Sequence, residues 1–436
     1  MKGAAAMAHA LGLDFGTTNT VIAQAENREE THSIRYTSPA GTSDSMRTAL
    51  SFLKDRQLGA GALKVEAGQA AIRTFIDNPG ECRFLQSIKT FAASAVFQGT
   101  LVHARRFQFE DLMEVFLKRL EAYAGDGWPS DARRLVAGRP VHFAGASADP
   151  ALATTRYNEA LTRLGFPEIH YVYEPVAAAF YFAQNLKQDA TVLVADFGGG
   201  TTDFSLVRFE THGGKLSARP IGHSGVGIAG DQFDARIIDH LVAPEIGKGS
   251  QFKSFGKLLD VPSNYYLSFS RWNQLSVFKT MKEFTDLQSL VRQAVEPDKL
   301  ELFIELIEHD EGYPLYQAVS ATKMALSSAD EAEFRFSPLG KAGEKRVTRA
   351  EFETWIAEDL TRMEAALDQL LAETKTTAGE IDKVFLTGGT SFVPAVRDIF
   401  KRRFAADKIE TGGELVSIAH GLALIGERDD ISQWTA

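Results

Sequence analysis

The sequence predicts an α/β protein of two lobes, and two observations support this. The chain has 436 residues, which is too long for one compact core and suits two or more domains of ordinary size. A strand, turn and strand pattern occurs twice, as LGLDFGTTNTVIA at 11–23 and VLVADFGGGTTDFSLV at 192–207. In each copy an apolar run reaches an aspartate, glycines and threonines follow, and a β-branched run resumes, which is typical of a β-hairpin with a glycine-rich bend. The recurrence halfway along the chain indicates two lobes of similar topology.

The remaining pattern fits this architecture. It predicts strands at 134–143, 169–173 and 383–387, helices at 154–164, 231–241, 313–328, 349–373 and 394–404, and a helix that starts at Glu174 and Pro175. Residues 243–312 are rich in aromatic residues, and we expect them to form a mostly helical peripheral insert.

Composition excludes several classes of protein. Hydrophobic residues make up 44% and charged residues 24% of the chain, which is ordinary globular usage. The net charge of −10 argues against a general nucleic-acid or anionic-membrane binder, since both depend on positive potential. No window reaches the roughly 18 apolar residues of a membrane span. Cys82 is the only cysteine, so an internal disulfide is excluded and the cytoplasm is the expected compartment.

The two glycine-rich bends suit phosphate binding. A glycine turn lets backbone N–H groups approach phosphate oxygens without a Cβ in the way. Thr17, Thr18, Thr201 and Thr202 add hydroxyl donors. One such bend alone is equally well explained as an ordinary tight hairpin, whereas two copies favour a phosphate clamp.

Three aspartates next to these bends indicate a metal ion. Asp14, Asp196 and Asp203 would repel a polyphosphate unless a cation lay between them. Carboxylate oxygens suit Mg²⁺, which is commonly held by one or two carboxylates, water and substrate phosphates. The ten histidines are scattered without zinc-site spacing, so a zinc site has little support.

The remaining candidate binding residues each allow two interpretations. Gly225, Gly227 and Gly230 form a GxGxxG pattern, but no βαβ unit with a ribose-binding acid follows, so amides at a helix N-terminus are favoured over a dinucleotide fold. Gly388, Gly389 and Thr390 suit close approach to a nucleoside or an ordinary strand-to-helix turn. Lys89 and Glu174 are either site residues or, respectively, a surface lysine and a helix-start glutamate.

The motifs together resemble the actin-like ATPase superfamily and, within it, the seventy-kilodalton heat-shock chaperones. LGLDFGTTNT is similar to their first phosphate motif, VLVADFGGGTTDFSLV to the second, VYEPVAAAFYFA to the connecting helix and FLTGGTSFVPAVRDIF to the adenosine motif. The resemblance covers essentially the whole chain. It implies an actin-like ATPase fold, in which two lobes of RNase H-like mixed sheets are flanked by helices, each lobe has a smaller subdomain, and ATP lies in the cleft.

The resemblance also implies roles for individual residues. The metal site would use Asp14, Glu174, Asp196 and Asp203, and catalysis would use Lys89, Glu174, Asp196 and Thr201. ATP or ADP would contact Gly16, Thr17, Thr18, Asn19, Gly198, Gly199, Gly200, Thr201, Thr202, Gly230, Lys323, Ser327, Gly388, Gly389, Thr390 and Phe392. The chain departs from the family at the base, since Ser320, Met324 and Phe392 replace the usual glutamate and two arginines.

The layout resembles that of the YegD-type chaperones, which have the nucleotide-binding part without a peptide-binding domain. We expect lobe I at 8–190 with an insert near 40–112, lobe II at 191–410 with an insert near 243–312, and a C-terminal helix in 411–436 that returns toward lobe I. The expected function is a nucleotide-dependent switch with slow Mg²⁺-dependent ATP hydrolysis, and its partners would be protein clients or co-chaperones. A small-molecule kinase and an actin-like filament former are the alternatives.

Overall fold

The structure is a computed structural model. It describes residues 10–55, 61–78, 80–143, 147–183, 188–212, 215–270, 278–279, 282–309, 311–410, 413 and 415–435. The predicted lobe and insert ranges therefore include some positions outside the described residues.

The described residues form strands along the whole chain. In chain order they are β1 (Ala10–Phe15), β2 (Asn19–Ala25), β3 (Thr31–Ser33), β4 (Tyr36–Ser38), β5 (Gly41–Ser43), β6 (Met46–Arg47), β7 (Ala49–Lys54), β8 (Leu63–Ala67), β9 (Cys82–Gln86), β10 (Thr100–Val102), β11 (Arg105–Phe107), β12 (Arg134–Arg139), β13 (Glu168–Tyr173), β14 (Ala190–Phe197), β15 (Thr202–His212), β16 (Lys215–Val226), β17 (Gln251–Ser254), β18 (Lys257–Asp260), β19 (Glu331–Arg335), β20 (Glu344–Thr348), β21 (Lys383–Thr387) and β22 (Ile409–Glu410).

The α-helices of the same residues alternate with these strands. In chain order they are α1 (Gly68–Asp77), α2 (Phe109–Ala124), α3 (Pro150–Thr162), α4 (Glu174–Ala183), α5 (Gly230–Leu241), α6 (Asn264–Phe269), α7 (Lys282–Leu290), α8 (Pro297–Glu308), α9 (Gly312–Ser328), α10 (Arg349–Trp355), α11 (Ala357–Thr374), α12 (Pro394–Lys401) and α13 (Ser417–Gly426). Among these residues, no helix is both long enough and apolar enough to cross a bilayer.

The first sheet carries the first glycine-rich hairpin. Its strands lie in the order β13, β12, β1, β2 and β3, and β6 also pairs with β2. β1 pairs with β12 in parallel and with β2 antiparallel, so the predicted hairpin is confirmed. α13 packs against β1, β2 and β12. Gly12 permits this contact, because a Cβ there would lie 2.1 Å from the Ala419 carbonyl oxygen.

The second sheet repeats this arrangement around the second hairpin. Its strands lie in the order β16, β15, β14, β21 and β22. β14 pairs with β15 antiparallel and with β21 in parallel, which confirms the second predicted hairpin and the strand at Lys383–Thr387. β16 is antiparallel to β15, so the glycines at its end do not belong to a parallel βαβ unit. This excludes a dinucleotide-binding unit at the GxGxxG pattern.

The described chain forms two compact units. One unit contains residues 1–227, 363–391 and 398–436, and the other contains 228–362 and 392–397. Both sheets with the glycine-rich hairpins lie in the first unit, and the predicted lobe boundary at 190/191 lies inside it. The predicted lobes therefore stay a prediction.

Helices make up most of the described residues of the insert at 243–312, as predicted, but the insert also contains one strand pair. It contains helices α6, α7 and α8, but Gln251–Ser254 and Lys257–Asp260 form an antiparallel hairpin. Phe255 and Gly256 make its turn, with φ of 46° and 75°, which is the left-handed geometry of a tight two-residue hairpin. The expectation that the insert is mostly helical missed this hairpin, because no Asn-Gly or Asp-Gly pair marks the turn.

Candidate phosphate-binding site

The first hairpin turn is closed by its own backbone. A Cβ at Gly16 would lie 2.2 Å from the Asn19 carbonyl oxygen, so only glycine fits there. The hydroxyl of Thr48 donates to the Gly16 carbonyl over 2.7 Å and lies 2.9 Å from the hydroxyl of Thr20. Thr48 is 1% exposed, and no sequence motif singles it out. It supports the turn from the residue just before strand β7.

The second turn is supported in a similar way. The Gly198 N–H donates to the Thr201 carbonyl over 2.9 Å. The Thr390 hydroxyl donates to the Gly198 carbonyl over 3.2 Å. Gly388 has φ of 83°, and a Cβ there would lie 2.1 Å from the Phe197 carbonyl oxygen. The segment that was predicted to contact a nucleoside therefore packs directly against the second hairpin.

The turn residues of both hairpins remain accessible. Gly16, Thr17, Thr18, Gly199, Gly200 and Thr201 are partly exposed, and Asn19 and Gly198 are exposed. Thr202 is fully buried and lies in the ladder opposite Phe197. Backbone N–H groups of such turns can approach an anion, whereas the buried Thr202 side chain is part of the core.

The three predicted aspartates lie in one electrostatic neighbourhood. Asp196 pairs with Asp203 across β14 and β15. Burial raises the pKa of Asp14 to about 7, Glu174 contributes to the rise, and Lys89 opposes it. Burial, then Glu174, Asp203 and Asp14, hold the pKa of Asp196 well above its usual range. Burial also raises the pKa of Asp203 to about 6, although a hydrogen bond from Thr201 lowers it. This crowding of acidic groups favours a bound cation.

Lys89 and Glu174 form a buried ion pair. Nζ of Lys89 lies 2.6 Å from Oε1 of Glu174, and their side chains are 11% and 9% exposed. Burial alone would lower the pKa of Lys89, but Glu174, Tyr157 and Asp14 together raise it above the usual range. The ammonium therefore stays charged. The structure excludes a surface lysine at position 89. Glu174 is the first residue of α4, as the helix-start interpretation expects, and a site role for Lys89 and Glu174 stays a prediction.

Two glycines leave room for these carboxylates. A Cβ at Gly138 would lie 3.0 Å from Cγ of Glu174, and a Cβ at Gly225 would lie 2.6 Å from Oδ1 of Asp203. Gly138 is in β12, and Gly225 is opposite Asp203 in the ladder of β15 and β16. The space that each glycine leaves is filled by a side chain of the cluster.

The residues fit a hydrated hard cation rather than a closed metal cage. In the described part of the chain, no three histidine, cysteine, aspartate or glutamate side chains group closely enough to hold a metal by themselves. Mg²⁺ keeps several waters and needs only one or two carboxylates beside substrate phosphates. Asp14, Asp196 and Asp203 supply such oxygens, and burial raises the pKa of each, with a further contribution from Glu174 in every case.

Comparison with known protein families identifies the family to which this chain belongs. A sequence model described as "Hsp70 protein" matches residues 97–253 and 307–427, which is more than half of the chain. The chain belongs to the Hsp70 family. The predicted actin-like ATPase fold, with its mixed sheets flanked by helices, is thereby confirmed.

A curated relative agrees with this assignment. Chaperone protein DnaK of Thermosipho melanesiensis is 26% identical over 419 residues, which cover 95% of this chain and 58% of that relative. The chain thus spans little more than half the length of this curated relative.

The other predicted nucleotide contacts belong to the second unit. In it, Nζ of Lys323 lies 2.7 Å from Oδ1 of Asp234 and 3.1 Å from the Gly230 carbonyl oxygen. Ser327 donates to the Lys323 carbonyl. Lys323 thus fixes α9 against the start of α5. A role in nucleotide binding stays a prediction for Gly230, Lys323 and Ser327.

Phe392 has an unexpected cation beside it. The Arg397 guanidinium lies over the Phe392 ring, 5.4 Å from its centroid, and Phe392 is 42% exposed. Met324 is 69% exposed. An arginine from α12 therefore lies beside Phe392, and contact of Phe392 with a nucleotide stays a prediction.

The structure also brings together residues that no motif connects. Nε2 of His142 and Nε2 of His223 lie 2.5 Å apart, although the two residues are distant in sequence. His223 is opposite Ser205, two positions along β15 from Asp203, and the charge of His142 lowers the pKa of Asp203. Their spacing in the sequence carries no signal, because a strand pairing and a loop bring them together.

Proposed function

We propose that this Hsp70-family chain binds ATP with Mg²⁺ at its two glycine-rich hairpins and hydrolyses it slowly. The observation that carries the proposal is the pair of accessible turns beside a cluster of four carboxylates and one ammonium. The turns supply N–H groups and hydroxyls for phosphate oxygens. The carboxylates Asp14, Asp196 and Asp203 would be repelled by those oxygens unless a cation is also bound.

The proposed role of each residue follows from its chemistry. Asp14, Asp196 and Asp203 would hold Mg²⁺ through its water shell, and the bound ion would neutralise charge on the phosphates. Lys89, fixed by Glu174, would place a positive charge beside the transferred phosphoryl group. Thr17, Thr18 and Thr201 would donate hydrogen bonds to phosphate oxygens. Phosphoryl transfer depends mainly on positioning and charge stabilisation, so no strong base is required.

The subtype, the cellular compartment and the conformational switch are also part of the proposed function. We propose that the chain is of the YegD type, acts in the cytoplasm, and uses ATP turnover to switch between two conformations that a protein client or co-chaperone reads. We also retain the predicted lobes at 8–190 and 191–410 as part of it.

Nucleotide titration tests the proposal directly. Isothermal titration with ATP and ADP, with and without Mg²⁺, should show binding that Mg²⁺ strengthens. Asp14→Asn and Asp196→Asn should weaken Mg²⁺-dependent binding about tenfold or more, since each removes a charge worth at least about 1.4 kcal/mol. Asp126→Asn is the matched control, because Asp126 is exposed in a short turn of the same unit. Wild-type protein without nucleotide affinity, or aspartate variants that bind like wild type, would count against the proposal.

Turnover separates Lys89 from a purely structural role. Lys89→Ala should retain ADP binding and reduce ATP hydrolysis, whereas Lys54→Ala, at an exposed strand end, should change neither. If phosphate release required an added sugar or polyol, the small-molecule kinase would replace the switch. ATP-dependent sedimentation would instead support the filament former.

A further inference from the structure

His142 and His223 bring two ring nitrogens to one point. The distance between their Nε2 atoms is 2.5 Å, and the ring centroids lie 4.4 Å apart at an interplanar angle of 65°. The two residues are 81 positions apart in the chain, which is unlike the short ligand spacing of zinc motifs. The tertiary structure therefore supplies a pair of nitrogen ligands that the scattered histidines of the sequence did not predict.

The pair connects the two sheets. His142 comes shortly after strand β12 of the first sheet, and His223 belongs to strand β16 of the second sheet. Both residues lie in the same compact unit. A group that contacts both rings would therefore link the end of β12 directly to β16.

Both side chains are open to solvent. His142 and His223 are exposed, so an ion can reach them and water can occupy coordination positions that the protein does not fill. In the part of the chain that the structure describes, no third histidine, cysteine, aspartate or glutamate completes a metal-binding group. Zn²⁺ commonly takes four ligands in a tetrahedral arrangement, so the protein would supply two of them and water the others.

The facing nitrogens suit a metal ion in charge and in distance. Two protonated rings would repel each other at 2.5 Å, and only a neutral imidazole nitrogen can bind a metal. Burial, and then the charge of His142, lower the pKa of His223, whereas Glu373 raises it. In a tetrahedral site with Zn–N bonds of about 2.0–2.1 Å, two ligand nitrogens lie about 3.3 Å apart. Small rotations of two exposed side chains reach that separation.

We propose that His142 and His223 together bind one divalent transition-metal ion, at a site separate from the carboxylates beside the glycine-rich hairpins. Imidazole suits Zn²⁺, Cu²⁺ and Ni²⁺, whereas carboxylate oxygens suit Mg²⁺. The two sites therefore differ in the ions that they select. The bound ion would cross-link the first sheet to the second.

Titration with Zn²⁺ tests the site. Isothermal titration of the untagged chain is carried out with excess Mg²⁺, because Asp203 lies on the same face of the second sheet as His223 and its carboxylate should first be occupied. Wild type should bind one Zn²⁺ per chain. His142→Ala and His223→Ala should each weaken binding at least about tenfold, since even outer-shell partners of metal ligands have effects of that size.

Two control variants accompany this titration. His309→Ala removes another exposed histidine and should bind Zn²⁺ like wild type. Asp196→Asn alters the carboxylate cluster and should also retain the Zn²⁺ affinity, although it weakens the proposed binding of nucleotide with Mg²⁺.

Two further measurements use properties that a hydrogen bond between the rings does not have. Electron paramagnetic resonance of wild type with one equivalent of Cu²⁺ should show coupling to two imidazole nitrogens, and each alanine variant should show one. Zn²⁺ should also raise the urea midpoint of unfolding in wild type, because an unfolded chain does not hold the two histidines together. Most of this rise should be lost in either alanine variant.

The outcomes separate this inference from the proposed function. Wild type that binds no Zn²⁺, or alanine variants that retain its Zn²⁺ affinity, would overturn the inference and leave nucleotide binding unaffected. Loss of Zn²⁺ binding in Asp196→Asn, with none in the histidine variants, would assign the ion to the carboxylates and would also overturn it. Zn²⁺ binding through both histidines in a protein without nucleotide affinity would support the inference and overturn the proposed function alone.

Discussion

In the first hairpin, a Cβ at Gly16 would lie 2.2 Å from the Asn19 carbonyl oxygen, whereas in the second a Cβ at Gly198 would lie 3.3 Å from the Thr201 carbonyl oxygen. Both turns receive a threonine hydroxyl on the carbonyl of their first glycine, from Thr48 at 2.7 Å and from Thr390 at 3.2 Å. The two copies of one sequence pattern therefore share a hydrogen bond from a threonine, but they differ in how much space they leave for a Cβ at the first glycine. The first turn is closed by its backbone, and the second is more open and carries two of the three aspartates.

The largest expected difference is in the free energy of unfolding, between alanine substitutions at the first glycine of each turn. Gly16→Ala forces a Cβ against a backbone oxygen that cannot move away, and we expect a loss of about 3 kcal/mol in the free energy of unfolding. Gly198→Ala meets only a tight contact, and the loss should stay below about 1 kcal/mol. Urea unfolding of both variants checks this. Equal losses would show that the two turns are equally constrained.

The next effect concerns the carboxylate that the second hairpin carries. Gly225→Ala should displace Asp203, because the added Cβ would lie 2.6 Å from Oδ1, and Mg²⁺-dependent nucleotide affinity should fall about tenfold, or about 1.4 kcal/mol. Gly227→Ala is the matched control, since nothing lies within 4 Å of its Cβ position. Titration with ADP and Mg²⁺ measures both variants. An unchanged affinity in Gly225→Ala would show that Asp203 does not belong to the metal site.

Substitutions of the two supporting threonines, Thr48 and Thr390, should differ less in their effect on the free energy of unfolding. Thr48→Val leaves the Gly16 carbonyl without its shorter hydrogen bond and should cost about 1 kcal/mol, whereas Thr390→Val removes a longer bond and should cost about half of that. Thermal unfolding gives the comparison, and Thr48→Ser and Thr390→Ser, which keep the hydroxyl, are the controls. A larger loss at Thr390 would reverse the order of support that we infer from the distances.

The smallest effect at neutral pH comes from His420, in the helix that packs against the sheet of the first hairpin. Its Nδ1 and Nε2 lie 2.7 Å and 2.9 Å from the hydroxyls of Thr31 and Ser33. Burial, with a smaller contribution from His32, lowers the pKa of His420 from 6.5 to about 4. The unfolded chain binds a proton more readily, so the stabilisation is present above about pH 6.5 and is lost as the pH falls toward about 4. The slope is at most about 1.4 kcal/mol per pH unit.

Urea unfolding of wild type and His420→Asn across this pH window measures that contribution. The variant should have a flatter dependence on pH, whereas His309→Gln, at an exposed position, should follow wild type. Parallel curves for His420→Asn and wild type would assign the pH dependence to other groups.

Much of the fold was predictable because the signals are local. An apolar run, an aspartate, glycines and a second β-branched run specify a hairpin within a few residues, and both hairpins are found at the predicted positions. The helix at 154–164 was placed slightly late, because the structure begins it at Pro150 after the Asp149 cap. The predicted strand at 134–143 ends at Arg139, since Pro140 cannot continue the ladder.

The site was predictable only in part. Asp14, Asp196 and Asp203 follow from their position next to the bends, whereas Lys89 and Glu174 had two interpretations each until the resemblance favoured a site role. Two further residues, Thr48 and Gly138, were missed because nothing in their local sequence marks them. Each contributes through a residue distant in the chain: Thr48 through Gly16 and Gly138 through Glu174.

The sequence by itself determined the chemistry of the two turns, since glycine, threonine and aspartate at fixed spacing act within a single hairpin. Only the tertiary structure decided that Lys89 is a buried cation paired with Glu174 and that the carboxylates share one neighbourhood. The physical reason is the distance along the chain over which each kind of interaction acts. Backbone conformation and turn formation depend on neighbours in the chain, whereas burial, ion pairing and pKa depend on which distant segments the sheets bring together.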